Sequence, residues 1–467
     1  RKGSGLATND LDLRLKLGFV YAAMGRLDDA RAAADFVIDR RPQDPEAPLL
    51  LVQAVGTQKE ITAAQARLQK LAAAGDQPAF EAALGTLAFR EHDIKGADAS
   101  FKRALGLDPK FSPALAGLAT VSIAENDLTN AEINFRAAAD DAPDRSPTKL
   151  LYARFKADTG DVAGGRQVLE DMVKRTPDYL PAWIALAEIS FSQKKYDETH
   201  GFLEQVLTRD GNNFDGLMLD SQLKLAQTNL PAATAQLERM AQLYPQSPNV
   251  YYQLGQAYLM GNDNDQAVTS LERALRLNPD YAEAILLLAQ IQIHNQKPEP
   301  AIFALEKLVH QRPQLVQAQL LLANAYRLDN RFDDAIAIYS SLEKSLPKNP
   351  QIPLLAGSTY AQQNDVAAAR REFNRALEIA PDNVLVLEQL VNLDLAGKQF
   401  NSALQIVQSR LQTKPNQIAL YVIEAKIFSA EGKHDQAEAA LLQAGKVDPS
   451  NMTIYLLLAE SYINSKQ

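Results

Sequence analysis

A helical hairpin is encoded by residues 251–279, which read YYQLGQAYLMGNDNDQAVTSLERALRLNP. Apolar residues at helical spacing occupy the first part, and a second run with the same spacing follows the polar turn GNDND. Pro279 cannot continue the second helix, because proline lacks the backbone N–H and clashes with the preceding turn. The stretch therefore predicts two antiparallel helices, here called helix A and helix B.

The same pattern recurs every 34 residues. Steps of 34 from residue 109 reach proline at ten of eleven positions, whereas the 23 prolines in 467 residues would give about 0.5 by chance. The eleven positions are Pro109, Pro143, Pro177, Gly211, Pro245, Pro279, Pro313, Pro347, Pro381, Pro415 and Pro449. A small residue lies twelve positions before each, as at Ala267, and a bulky apolar residue lies eight positions before each, as at Leu271. These residues are expected to fill the crossing between the two helices.

This pattern resembles the tetratricopeptide repeat, whose spaced W, L, G, Y, A, F and P positions describe one hairpin. The residues that carry the resemblance are Tyr251, Leu254, Gly255, Tyr258, Ala267, Leu271 and Pro279, with Trp183 at a tryptophan position and Tyr455, Leu458, Ala459 and Tyr462 near the end. It covers residues 11–464. The resemblance implies an all-α fold, an α-solenoid of about thirteen 34-residue helix-turn-helix repeats plus a trailing helix, wound as a right-handed superhelix.

We expect a flexible N-terminal segment at residues 1–10 and a repeat array at 11–451. Residues 452–467 would then be the first helix of a truncated further repeat. The thirteen repeats are placed at 11–44, 45–77, 78–111, 112–145, 146–179, 180–213, 214–247, 248–281, 282–315, 316–349, 350–383, 384–417 and 418–451. The trailing helix is expected to expose Ile454, Leu457 and Leu458 to a missing neighbour, so the natural chain is expected to continue beyond Gln467.

Local signals predict the ends of particular helices. Ser112-Pro113 and Ser146-Pro147 are each interpreted as an N-cap serine followed by proline at the first helical position. The pairs Gly160-Asp161, Asn126-Asp127 and Asn364-Asp365 are interpreted as the turn and the N-cap between helix A and helix B.

Composition excludes several classes of function. The net charge of −9 disfavours nucleic acid, which needs a basic face, and the lack of cysteine excludes disulfides and thiolate ligands. No apolar run is long enough to cross a membrane, and the five histidines occupy unrelated repeat positions. Phosphate-loop, zinc-protease and serine-hydrolase motifs are absent from the sequence. We therefore expect no enzyme activity, no metal and no cofactor.

The resemblance also implies where a ligand would lie. In the family, helix A lines the concave surface, with roughly the second, fifth, ninth and twelfth positions of each repeat facing inward. The candidate groove-lining residues on this basis are Gln222, Tyr252, Gln256, Gln290, Asn324, Ser358 and Asn392. Most are carboxamides at ninth positions, beside a mostly apolar row at fifth positions. Amides carry both donors and acceptors and can pair with a peptide backbone or with sugar hydroxyls, although they could equally be solvated helix formers.

Three functions remain open from the sequence. The first is a scaffold that binds an extended segment or a helix of a partner protein in the groove. The second follows from a weaker resemblance, of style and length, to bacterial repeat proteins and lipoproteins of exopolysaccharide and exosortase systems; it implies a periplasmic or outer-membrane accessory protein that bridges components or guides polysaccharide. The third is the substrate-recruiting arm of a larger enzyme such as a glycosyltransferase. A cytoplasmic location stays an alternative.

Overall fold

The computed structural model describes residues 10–23, 26–140 and 142–464. Within these ranges the chain forms 27 helices and no strand. The helices pair into thirteen consecutive hairpins followed by one further helix, which confirms the predicted all-α helical-repeat fold. The predicted flexible segment lies outside the described residues except for Asp10, and the superhelical sense and the repeat boundaries stay predictions.

The chain divides into two compact units, residues 1–236 and 237–467. Odd-numbered helices are helices A and even-numbered helices are helices B. The helices are α1 Leu11–Ala23, α2 Leu27–Arg40, α3 Ala47–Gln53, α4 Gln58–Ala74, α5 Pro78–Arg90, α6 Ile94–Leu107, α7 Ser112–Ala124, α8 Leu128–Asp140, α9 Pro147–Asp158, α10 Val162–Arg175, α11 Leu180–Ser192, α12 Tyr196–Arg209, α13 Phe214–Ala226, α14 Leu230–Leu243, α15 Pro248–Met260, α16 Asn264–Leu277, α17 Ala282–His294, α18 Pro298–Gln311, α19 Val316–Leu328, α20 Phe332–Ser345, α21 Gln351–Gln362, α22 Val366–Ile379, α23 Val384–Ala396, α24 Phe400–Thr413, α25 Ile418–Glu431, α26 His434–Val447 and α27 Met452–Asn464.

The turn between helix A and helix B shares one backbone feature in every hairpin from residue 78 to 451. One residue of each turn has a positive φ, and these residues are spaced 34 apart: His92, Asn126, Gly160, Lys194, Thr228, Asn262, Gln296, Asn330, Asn364, Lys398 and Gly432. In several hairpins an aspartate follows this residue and caps helix B. Asp161 accepts a hydrogen bond from the backbone N–H of Gly164 at 2.9 Å, and Asp365 accepts one from Ala368 at 2.9 Å. These contacts confirm the predicted turn and N-cap.

The crossing of each hairpin is built from the predicted small and large pair. The small residues Ala97, Ala267, Ala335 and Ala403 are all fully buried. The bulky residue four positions later is buried as well, from Phe101 in α6 to Leu441 in α26. At the glycine of repeat 8, a Cβ on Gly255 would lie only 2.8 Å from the Leu271 side chain. The repeated sequence therefore specifies a close approach of two helix backbones and a large side chain beside it.

Two local predictions were wrong. Ser112 does not cap α7, because Phe111 holds the N-cap position and the Ser112 hydroxyl donates to the Ala138 carbonyl at 3.1 Å instead. Ser146 does cap α9, by accepting from the Thr148 N–H at 3.1 Å. On α27, Ile454 and Leu458 are buried and Leu457 is partly buried, because this face packs on the preceding helix α26. The exposed apolar residues of α27 are Met452, Tyr455, Leu456 and Ile463.

Helices A are the more closely packed layer. In the first compact unit α5 contacts α7 and α9 contacts α11, and in the second α17 contacts α19 and α23 contacts α25. Neighbouring helices B do not approach one another to a comparable extent among the described residues. Within each compact unit, the helix-A layer is therefore the side on which successive repeats converge. Each described helix is too short or too polar to cross a lipid bilayer.

Candidate functional site

A cavity opens on the helix-A side of the first compact unit, over α9, α11 and the start of α13. Its volume is about 520 Å³. Leu150 and Ile184 line it from the fifth positions of repeats 5 and 6, and Arg154 and Glu188 line it from the ninth positions. The two charged side chains form an ion pair at 2.6 Å. The lining therefore combines apolar side chains with an ion pair.

A second cavity of about 440 Å³ lies in the other compact unit, over α23, α25 and α27. Val422 contributes an apolar wall from a fifth position, and Leu457 adds to it from α27. Glu388 and Lys426 line the same cavity and pair at 2.8 Å across neighbouring helices A. Both ions are substantially exposed, so the pair contributes little to stability, in the range of about 0–1 kcal/mol. This cavity also combines apolar and charged lining at predicted inward positions.

The ninth-position candidates of the second compact unit lie one per helix A. Their ninth-position members are Gln256 on α15, Gln290 on α17, Asn324 on α19, Ser358 on α21 and Asn392 on α23. Gln290 is exposed and the other four are half-buried. Gln222 lies on α13 in the first compact unit, where it is also half-buried. Water or a ligand can therefore reach the predicted amide row.

Three of these side chains already hold partners within their own helix. Gln256 Nε2 donates to the Tyr252 hydroxyl at 2.9 Å, which brings two candidate residues together directly. Asn324 Oδ1 accepts from Arg327 at 2.8 Å, and the Ser358 hydroxyl donates to the Leu354 carbonyl at 2.9 Å. A primary amide has two N–H donors and an acceptor oxygen, so Gln256 and Asn324 keep further hydrogen-bonding capacity.

Tyr281, which is not among the predicted candidates, completes an aromatic pair. Its ring centroid lies 5.2 Å from that of Tyr252, with the planes tilted by 50°. Its hydroxyl donates to Asn249 Oδ1 at 3.3 Å. Burial, followed by the charge of the Glu283 carboxylate, raises the pKa of Tyr281 to about 12. Tyr281 precedes α17 and so lies outside the helical positions from which the candidates were drawn.

The single tryptophan has a structural role. Trp183 Nε1 donates to the Pro177 carbonyl at 2.9 Å, and the hydroxyls of Tyr421 and Tyr455 bond the carbonyls of Pro415 and Pro449 in the same way. The donor at the fourth position of helix A thus satisfies a carbonyl at the end of the preceding repeat. This position explains the aromatic preference without a ligand.

Helices A carry few charges in the middle of the second compact unit. From α15 to α21, Glu283 and Arg327 are the charged residues of these four helices, with His294 counted as neutral. The neighbouring helix α16 alone contains Asp265, Glu272, Arg273 and Arg276. The helix-A side is therefore a largely neutral surface of amides, hydroxyls and apolar side chains. Among the described residues, no group of three or more His, Asp or Glu side chains is arranged to hold a metal ion.

Three models of the tetratricopeptide repeat match the chain. One matches residues 224–291, 262–324 and 360–427, a second matches 320–384 and a third matches 12–35. No curated protein matches the chain.

Several solved structures are similar to the chain at low sequence identity. The structure of YrrB, described as a TPR protein with an unusual peptide-binding site, is 19% identical; the match covers 40% of this chain and 95% of that one, with a TM-score of 0.36. A tetratricopeptide repeat protein from Parabacteroides merdae is 14% identical over 60% of this chain and 98% of that one, with a TM-score of 0.41. A chain in the structure of the APC/C hetero-tetramer Cut9-Hcn1 is 13% identical; the match covers 98% of this chain and 97% of that one, with a TM-score of 0.36.

Proposed function

Because the chain belongs to the tetratricopeptide repeat family and is a protein-interaction scaffold, we propose that it holds an extended segment of a partner protein along its helix-A side. The observation that carries this proposal is the accessible amide row of the second compact unit beside its apolar fifth positions. An extended backbone leaves its N–H and C=O groups unpaired, whereas a helix satisfies its own. Side-chain amides can pair with both of those groups.

The character of the surface supports a largely uncharged partner segment. Leu320 and Leu354, at the fifth positions of α19 and α21, are half-buried and remain available for contact. Burial of such side chains against apolar groups of a ligand is favourable by about 25 cal/mol per Å². The amides then orient the segment and the apolar row supplies most of the contact energy.

The proposal is tested by affinity capture from lysate of the source organism, with the bound material analysed for protein and for carbohydrate. The wild-type chain is compared with Gln256→Ala/Gln290→Ala and with the matched control Gln266→Ala/Gln405→Ala. Gln266 and Gln405 are exposed residues of helices B, so the control makes the same chemical change on the other layer. Circular dichroism checks that both variants keep the helical content of the wild type.

A protein retained by the wild type and by the control, but reduced with the helix-A variant, is the expected result. Retention of a glycan by the wild type and the control, but less of it by the helix-A variant, would instead support the polysaccharide-guiding function. It would overturn the proposal of a protein segment. Equal capture by all three chains would show that the amide row takes no part in binding.

A further inference from the structure

The junction between α15 and α17 departs from the repeating pattern. Tyr252 is the one aromatic residue at a fifth position among the repeats; the next three repeats carry Leu286, Leu320 and Leu354 there. Glu283 occupies a second position, where the flanking repeats carry Asn249 and Gln317. Residues that the hairpin needs for packing recur every 34 residues. The combination at this junction does not recur, so the scaffold does not require it.

The two rings are held in place by neutral partners. Tyr252 and Tyr281 lie 5.2 Å apart between centroids, Gln256 donates to the Tyr252 hydroxyl, and Tyr281 donates to Asn249. Both tyrosines are half-buried. The aromatic pair is therefore ordered without a charged side chain and keeps part of its ring surface accessible.

Glu283 adds a negative charge beside this pair. Its side chain is exposed, and it enters no ion pair with a described residue. Glu283 follows Tyr281 by two residues and lies in the first turn of α17. Its carboxylate raises the pKa of both Tyr252 and Tyr281 in addition to the larger effect of burial. By contrast, the helix-A carboxylate of Glu388 is already paired with Lys426 at 2.8 Å.

Aromatic faces attract cations through the ring quadrupole, and a nearby carboxylate strengthens the binding of a cation by a charge-assisted hydrogen bond. We propose that Tyr252, Tyr281 and Glu283 form a subsite for the side chain of an arginine or lysine in the segment that binds along the helix-A side. This inference rests on the proposed function and adds to it one specific feature of the partner. It places a positive charge in the segment at α15–α17, while the surface from α19 to α21 contacts uncharged residues.

The subsite is tested on the full chain with small probes in place of the partner. Titrations followed by ligand-observed saturation-transfer NMR compare N-acetyl-arginine amide, N-acetyl-lysine amide and N-acetyl-citrulline amide, the last being a neutral isostere of the arginine probe. The variants are Glu283→Gln and Tyr252→Leu, which places at this site the residue found in the next repeats. Glu272→Gln is the matched control, because it removes an exposed carboxylate from a helix B.

The arginine or the lysine probe is expected to bind the wild type about three- to thirtyfold more tightly than the citrulline probe. Glu283→Gln and Tyr252→Leu should each remove most of that difference, and Glu272→Gln should leave it unchanged. Equal binding of charged and neutral probes, undetectable binding of both charged probes, or an unchanged preference in Glu283→Gln would overturn the subsite. These outcomes do not depend on the amide row, so a failed subsite together with positive capture would leave the groove function standing.

Discussion

At the scale of single residues, each described A–B turn from residue 78 to 451 has one residue with a positive φ. Residue types differ in how easily they adopt this conformation. Gly160 and Gly432 adopt this conformation without cost from a Cβ, and asparagine tolerates it better than most residues. Thr228 has a φ of 59° despite its β-branched side chain. Threonine at such an angle is an outlier, so this turn stores conformational strain.

Replacement of this residue with glycine should stabilise the protein. We expect Thr228→Gly to raise the free energy of unfolding by roughly 0.5–1 kcal/mol, because relief of the left-handed strain exceeds the added entropy of the unfolded chain. Urea denaturation followed by circular dichroism measures the change. Asn262→Gly is the control at the equivalent turn, where φ is 60°, and it should gain less. A larger gain in the control than in Thr228→Gly would contradict the strain argument.

At the scale of helices, one ion-pair cluster connects successive repeats of the first compact unit. Arg166 on α10 donates two hydrogen bonds to Glu198 on α12, at 2.7 and 2.6 Å, and Ser190 on α11 donates a third at 2.9 Å. These donors, with Arg166 the largest contributor, lower the pKa of Glu198 to about 2 from its ordinary value of 4.5. A lowered carboxylate pKa means that the folded chain favours the ionised form.

The pH dependence of this contribution follows from its sign. The stabilisation from Glu198 is fully present above pH 4.5 and is lost as the pH falls towards 2. Glu198→Gln should therefore have a lower urea midpoint than the wild type at pH 7, and the difference should shrink between about pH 4.5 and pH 2. Glu272→Gln removes the carboxylate of an exposed pair with Arg276 and should leave the midpoint nearly unchanged at pH 7. A Glu198→Gln deficit that stays constant across the acidic range would argue against the pair.

The sequence predicted the repeated features of these helices and missed the features that occur once. The small residue at Ala267 and the large one at Leu271 recur through the chain, and each repetition strengthens the same packing inference. Tyr281 lies outside the helix and pairs with a residue 29 positions earlier, so neither periodicity nor local spacing indicates the contact. The burial of Ile454 was missed because a helix A packs on the helix B of the preceding repeat as well as on the helix B of its own repeat.

At the scale of the whole molecule, the contacts between helices within each compact unit lie inside a hairpin or between adjacent repeats. Stability in such an array is approximately a sum of hairpin terms and nearest-neighbour terms. A lesion in one hairpin should then loosen its neighbours without unfolding distant repeats.

Ala267→Leu tests this expectation. Ala267 is fully buried at the crossing of α15 and α16, so the larger side chain should overpack it and cost about 1–3 kcal/mol. Hydrogen exchange should accelerate in α15, α16 and α17 and stay unchanged in α5 to α7. Ala337→Leu, at an exposed position of the helix-B layer, is the control and should alter neither exchange nor melting. An unaltered melting curve for Ala267→Leu would contradict the assigned register, and uniform acceleration across the chain would contradict nearest-neighbour coupling.

The central claim is that the helix-A side of the second compact unit binds the partner. Its most direct test is the dissociation constant of the captured protein for the wild type, for Gln256→Ala/Gln290→Ala and for Gln266→Ala/Gln405→Ala. Loss of two hydrogen bonds, each contributing about 0.5–1.5 kcal/mol, should weaken binding roughly five- to 150-fold in the helix-A variant. The helix-B control should bind as the wild type does. Equal dissociation constants for all three chains, or weaker binding in the helix-B control alone, would contradict the claim.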